Sequence, residues 1–283
     1  MKIGIGLPNQ VRDMAPRVLP GWARRAEAAG FSTLATVGRT AYPGVLDTVA
    51  LAAAAGATER IGLLSGVLLG PVWPPVLLAK ELAGIDGVSG NRLTIGLGIG
   101  AREDDFVVDG RGPRGLGQRI DADLETYREV WDGEPVGGGT NPAVPPGTRR
   151  VPLLLGGSAP ASYARMAKWG EGYVGGSVPP ELVAPSFDQA RAAWAEAGRE
   201  GSPRLVALAY FALGDPEQGR GKVHDYYSNF GALADLIAGG VRTTPGELRQ
   251  AVSDFAALGA DELIFNPGTD NPADIEALAE VVL

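Results

Sequence analysis

Gly156-Gly157-Ser158-Ala159-Pro160-Ala161 is the segment of this chain best suited to hold a charged ligand. It joins an apolar run at 151–155 to the start of a helix-like run, so free backbone N–H groups, a helix dipole and the Ser158 hydroxyl converge. That combination makes a phosphate cradle, although a serine that only caps a helix has the same appearance. Other chemically capable residues also stand at the ends of apolar runs. Asn9 closes the first run, and Gly38 and Arg39 follow the second. Ser65, Gly66 and Val67 lie late in the third, and Gly98, Gly100, Arg102 and Glu103 end the fourth. Gly175 and Gly176 follow a later one. Glycine at so many ends lets a flat ligand approach the backbone, which suits a broad planar cofactor; singly, each is equally a turn residue.

Three residues are candidates for catalysis: Arg39, Glu103 and His224. Glu103 begins the run Glu103-Asp104-Asp105, which offers a general acid or base and equally a solvated helix start. Arg102 either faces an anionic cofactor or balances those acids. His224, the only histidine, sits in Lys222-Val-His-Asp-Tyr-Tyr-Ser228, either on a solvated helix face or on a lid with Tyr226 or Tyr227. The absence of cysteine excludes disulfides, thiol nucleophiles and thiolate metal sites, and no metal ligand set is expected. There is no G-x-S-x-G elbow for serine hydrolysis. Gly96-Leu-Gly-Ile-Gly100 alternates glycine without the dinucleotide-binding spacing. A net charge of −8 opposes a role on nucleic acid or an anionic membrane. The chain enters a strand-like run directly from Met1, with no secretory leader, so a cytoplasmic protein is expected.

The elements that position these residues alternate in type. Residues 61–79 are nineteen positions without a charge, long enough to span a membrane. Gly70-Pro71 and Pro74-Pro75 interrupt them, and a proline inside a helix removes a hydrogen bond and clashes with the preceding turn. The run therefore reads as a strand at 61–69, a tight loop at 70–74 and a helix opening at Pro75. A strand apolar on both faces belongs to a parallel sheet covered by helices. A second such strand at 92–100 completes one βαβ unit. Strands are predicted to begin near Ile3, Phe31, Ile61, Leu93, Val151, Gly172, Leu205 and Glu262. Helices are predicted at 16–29, 46–57, 117–131, 181–197, 222–237, 245–258 and 272–282, with another ending at Trp169 and a surface excursion at 133–150. The 117–131 helix is the clearest, with Ile120, Leu124, Tyr127 and Trp131 at helical spacing. Eight alternations predict a single (β/α)8 TIM barrel domain over 1–283, with an open doubly wound sheet as the rival. Sites in such barrels lie at the carboxyl ends of the strands, where the residues above stand.

These segments also carry a resemblance. Thr58-Glu-Arg-Ile-Gly-Leu-Leu-Ser-Gly-Val-Leu-Leu-Gly-Pro-Val-Trp-Pro-Pro75, with Ile85-Asp-Gly-Val-Ser-Gly-Asn-Arg-Leu-Thr-Ile-Gly-Leu-Gly-Ile-Gly100, is similar to the central block of the bacterial luciferase-like flavin-dependent oxidoreductases. Ala26-Glu-Ala-Ala-Gly-Phe31, Leu155-Gly-Gly-Ser-Ala-Pro160 and Gly259-Ala-Asp-Glu-Leu263 extend the resemblance over nearly the whole chain. It implies a luciferase-like barrel with a flavin at the carboxyl end: FMN, or alternatively the deazaflavin coenzyme F-420. It also implies a non-proline cis peptide at Gly66-Val67 behind the ring, and the cofactor phosphate at Gly157-Ser158. The cofactor contacts expected are then Asn9, Ser65, Gly66, Val67, Gly98, Gly100, Arg102, Gly156, Gly157, Ser158, Gly175 and Gly176. Two positions depart from the family pattern. Pro74 stands where a histidine is common, and Gly38-Arg39 stand where an acid often follows the second strand.

The implied activity is a monooxygenase using reduced FMN and oxygen on a small organic substrate, with a separate flavin reductase as partner. Hydride transfer with coenzyme F-420 is the alternative, and a non-catalytic flavin-binding barrel is a third. An aromatic, water-poor pocket favours oxygenation, a basic groove beyond the phosphate favours the deazaflavin, and a blocked ring favours binding alone. A homodimer is expected, joined through the alanine- and leucine-rich helices after the second and third strands.

Overall fold

Prolines open most of the helices of this chain and glycines close several, which sets the element boundaries. Pro20 lies in the first turn of the helix ended by Gly30 (φ 97°), and Pro75 starts the one ended by Gly90 (φ 70°). Proline has no N–H to lose at a helix start, and glycine adopts the left-handed stop without a Cβ clash. The computed structural model describes residues 1–107, 110 and 112–283.

The strands are β1 (Lys2–Gly6), β2 (Thr33–Thr36), β3 (Gly62–Leu69), β4 (Leu93–Gly98), β5 (Leu153–Leu155), β6 (Gly172–Val174), β7 (Arg204–Phe211) and β8 (Glu262–Pro267). They pair in parallel in chain order, and β8 pairs with β1 to close the barrel. That closure rules out the open sheet. The helices are α1 (Leu19–Ala29), α2 (Asp47–Ala57), α3 (Pro75–Ser89), α4 (Asp104–Val107), α5 (Leu116–Trp131), α6 (Pro160–Trp169), α7 (Pro180–Glu196), α8 (Pro216–Tyr227), α9 (Ala232–Gly239), α10 (Pro245–Ala257) and α11 (Ala273–Val282). The observed strands start within two residues of the predicted positions.

The helix predicted at 222–237 is split. It begins earlier, at Pro216, because the Asp215 carboxylate caps it by accepting from the Gln218 N–H. It is interrupted at Gly231, whose φ of 56° and ψ of −129° lie in a region reserved for glycine. The consequence is a short turn, Ser228–Phe230, that projects over the barrel mouth between α8 and α9.

Two apolar layers hold the fold. Ala35, Leu64, Leu154, Val174, Val206, Leu208 and Ile264 form a cluster contributed by strands alone. The larger layer joins the outer strand faces to the helices and includes Trp22, Leu51, Leu82, Tyr127 and Phe187. Between β3 and β4 the pairing register shifts between Ser65 and Leu68, and the Gly66-Val67 peptide there is cis, as the resemblance implies. Among the described residues no helix is long and apolar enough to cross a membrane.

Candidate active site

Parallel strands closed into a barrel place every carboxyl end on one face, and a cavity of about 480 Å³ opens there. Its wall takes Val37, Gly38 and Arg39 after β2, Gly66 and Val67 from β3, and 98–102 after β4. Residues 156–159 after β5 and 175–177 after β6 continue it, with Leu208 from β7 and Tyr226, Tyr227 and Phe230 from α8 and its following turn.

One end of the cavity is built to receive an anion. Gly157 has φ 115°, and a Cβ there would stand 2.7 Å from Ser162 Oγ, so only glycine fits this turn. Tyr173 fixes the turn from below, its hydroxyl donating to the Gly157 carbonyl at 3.0 Å. The helix that follows, α6, starts at Ala159-Pro160 with no side-chain cap, leaving its first N–H groups to a ligand. Ser158, Ser162, Gly176 and Ser177 surround this end, all uncharged.

The rest of the chamber is apolar and aromatic. The Val67 side chain fills the space in front of Gly98 and Gly156, where an added Cβ would meet it at 2.8 and 3.1 Å. Leu69, Ile99, Val174 and Leu208 extend that surface. Opposite them, Tyr226 packs edge-on against Tyr42 and Tyr227, each at 4.9 Å between centroids. Tyr227 shares a hydrogen bond of 3.2 Å with the Tyr210 hydroxyl. Burial pushes the Tyr226 and Tyr227 phenols above their ordinary range, so both are neutral. Asp225 anchors this aromatic cap to the barrel by accepting from Arg12 and from the Tyr42 hydroxyl, each at 2.7 Å.

Arg39 and Arg102 line the same cavity, and both are already paired. The buried Arg39 guanidinium meets Asp105 at 3.2 Å, Asp104 at 3.4 Å and the Tyr226 carbonyl at 3.2 Å. Asp105, equally buried, also accepts from the N–H groups of Thr40 and Ala41, at 3.0 and 2.8 Å. Arg102 forks onto Asp104. The Asn229 side-chain oxygen, in the turn after α8, accepts from the Arg102 guanidinium. These contacts tie the loop after β2, the acidic segment after β4 and the turn after α8 into one closed side of the chamber.

A second buried acid lies behind the wall. Asp47, at the start of α2, packs against Gly38 where a side chain at position 38 would otherwise project. Burial pushes its carboxyl up to about 7. Thr36 partly offsets this, although its hydroxyl does not reach full hydrogen-bonding geometry.

Of the residues singled out in the sequence, Arg39, Gly66, Val67, Gly98, Gly100, Arg102, Gly156, Gly157, Ser158, Gly175 and Gly176 all line this one cavity. Four do not. The buried Asn9 amide is used within the protein, donating to the carbonyls of Val37 and Val45 and accepting from the Val37 N–H. Ser65 turns into the sheet and donates to the Gly96 carbonyl at 2.8 Å. Glu103 is exposed, and Asp105, two residues on, takes the buried position. His224 lies on the solvent face of α8, 3.1 Å from Asp235, while Tyr226 and Tyr227 turn inward. The sequence points to Asp105 only as part of the run Glu103-Asp104-Asp105, and does not point to Asp47, Leu208 or Phe230. Phe230 carried a signal, because it follows Tyr226 at one helical turn.

With this geometry in view, the chain can be compared with known proteins. The sequence model of the luciferase-like monooxygenase family matches residues 1–264. An uncharacterised protein of Mycobacterium tuberculosis is 32% identical over 178 residues, covering 59% of this chain and 62% of that protein. The match thus spans about three fifths of that curated relative. Among solved structures, the monooxygenase RslO1 from Streptomyces bottropensis superposes with a TM-score of 0.77 at 25% identity, over 100% of this chain and 98% of its own. An F420-dependent secondary alcohol dehydrogenase, in complex with an F420-acetone adduct, gives a TM-score of 0.81 at 17% identity over 99% of this chain and 98% of that one, a likeness of fold. The chain belongs to the luciferase-like monooxygenase family.

Proposed function

We propose that this protein is an FMN-dependent monooxygenase acting on a small, uncharged organic substrate. The observation that carries this reading is the contrast within one cavity. A neutral N–H and hydroxyl cradle at Gly157-Ser158 opens directly into an aromatic, apolar chamber. Among the described residues lining it, the cations are Arg39 and Arg102, and both are neutralised by Asp104 and Asp105. A single phosphate suits the cradle, whereas the acidic tail of coenzyme F-420 calls for unpaired basic residues beyond it. The likeness to a solved monooxygenase at 25% identity over the whole chain supports the same reading.

The residues present fit such a cofactor. The slot kept open by Gly157 takes the phosphate, with Ser158 and Ser162 as hydroxyl donors. Val67 packed into the space beside Gly98, and Leu69 into that beside Gly100, give an apolar surface on which a flat ring can lie. When bound, reduced FMN would supply the electrons that activate oxygen. The protein's part is to orient and to exclude water. Tyr226, Tyr227 and Phe230 close the chamber, and Arg39 holds that cap to the loop after β4. Arg39 acts here as a positioning residue, and neither Glu103 nor His224 enters the proposal.

A separate flavin reductase would deliver the reduced cofactor. Homodimerisation is proposed through α2 and α3, which expose Leu46, Val49, Val76, Leu77 and Val88 along one side of the barrel. The test is incorporation of labelled oxygen. Protein supplied with reduced FMN and labelled oxygen, and offered uncharged aromatic and aliphatic substrates, is expected to yield product carrying one labelled atom. Turnover of an alcohol with coenzyme F-420 and no uptake of oxygen would replace this reading with hydride transfer.

A further inference from the structure

The Asp47 carboxyl fills the place of the side chain that residue 38 lacks. Gly38 is part of the cavity wall, so this carboxyl stands immediately behind that wall, separated from the chamber by the side-chain-free backbone of residue 38. Asp47 is 5% exposed, and its Oδ1 has no hydrogen-bond partner. The groups around it are the Thr36 hydroxyl from β2, the Gly38 backbone and Tyr226 from α8; Tyr226, held neutral chiefly by burial, is influenced by Tyr227, Asp47 and Asp105. Burial raises the Asp105 carboxyl too, but the two acids differ in their partners. Asp105 is engaged by Arg39 and two backbone N–H groups. Asp47 has no cation beside it among the described residues, and a buried carboxyl without a counter-charge keeps its proton.

We propose that Asp47 is the proton donor of this site, holding a proton in the resting protein and releasing it past the Gly38 backbone to the bound reactant. The inference rests on the monooxygenase reading. Monooxygenation puts one oxygen atom into the substrate and releases the other as water, and with reduced FMN as its ring anion it consumes one proton. A reactant covered by the bound cofactor and the aromatic cap draws that proton from a side chain rather than from bulk water. In the assigned step the Asp47 O–H bond breaks and an O–H bond forms on the oxygen that leaves as water. The electrons come from the reduced flavin, and the Asp47 carboxylate is reprotonated from solvent after product leaves.

Infrared difference spectra of the flavin-free protein, taken between about pH 5 and about pH 9, read this proton without any turnover. The expected result is a carbonyl band of a protonated carboxylic acid that disappears with a midpoint near neutral pH and is missing from Asp47→Asn. Its absence from the wild-type protein overturns the proposal even if the variant fails to fold, and so does its persistence in Asp47→Asn. In the FMN-loaded protein, oxygenated product formation should fall about tenfold per pH unit above that midpoint, whereas Asp47→Asn should be slow and flat with pH. A variant with the wild-type profile overturns the proposal. FMN titration of both proteins keeps the two readings apart: failure to bind FMN rejects the flavin reading, while the infrared band alone then decides the state of Asp47.

Discussion

Replacing Asp47 by asparagine should change how stability depends on pH, by an amount the structure sets. The folded carboxyl titrates at about 7, against an ordinary value of 3.8, because burial penalises its charged form. The gap is about three pH units, worth roughly 1.4 kcal/mol each, or about 4 kcal/mol in all. Between the two values the folded protein binds a proton that the unfolded chain has released. Stability from this group is therefore complete at low pH and is lost as pH rises toward 7, with no further loss above it. Asparagine does not titrate, and any cost of its buried amide is the same at every pH. Urea unfolding of both proteins at about pH 5 and about pH 8 should show the difference, variant minus wild type, rising by about 3 kcal/mol. Stability profiles that stay parallel within about 1 kcal/mol would rule out a raised Asp47 carboxyl, since a carboxyl ionised in both states gives no such slope.

The other predictions concern the cradle, the ion cluster and the outer helices. Ser158→Asp places a carboxylate where the phosphate is proposed to bind, and should weaken FMN about tenfold in a fluorescence titration. Asp105→Ala strands the buried Arg39 and the Thr40 and Ala41 N–H groups; urea unfolding should show a loss of about 3–5 kcal/mol, more than Arg39→Met, which leaves Asp105 its two backbone donors. Light scattering should give twice the chain mass for the wild type and a monomer for Leu77→Asp, which puts a charge on the exposed side of α3. A single chain mass for the wild type across a wide concentration range would remove the proposed interface.

Much of the barrel was legible because its signals are local. Residues 61–69 are apolar on both faces and end at Gly70-Pro71, and that pattern identifies a doubly covered parallel strand without any tertiary information. Once the strands alternate with helices, barrel geometry gathers their carboxyl ends, so Gly66, Gly98, Gly157 and Gly176 could be placed in one site from the sequence. What stayed hidden depends on contacts distant in the chain. Which member of Glu103-Asp104-Asp105 turns inward is decided by the Thr40 and Ala41 N–H groups and by Arg39, more than sixty residues away. Asp47 meets Gly38 only because α2 docks across the end of β2. Asn9 follows β1 and Ser65 lies in β3 next to the cis peptide, places that suit ligand-binding residues, but backbone carbonyls claim their polar atoms. The break at Gly231 was masked because Ala232, Leu233, Leu236 and Ile237 continue a helical pattern across it.

The Gly157-Ser158 cradle and the aromatic chamber are proposed to form one FMN site. Titrating the purified protein with FMN and, separately, with coenzyme F-420 distinguishes that site from its alternatives. FMN is predicted to bind at least about tenfold more tightly, a difference of about 1.4 kcal/mol or more. Tighter binding of coenzyme F-420, or no binding of either, would contradict it.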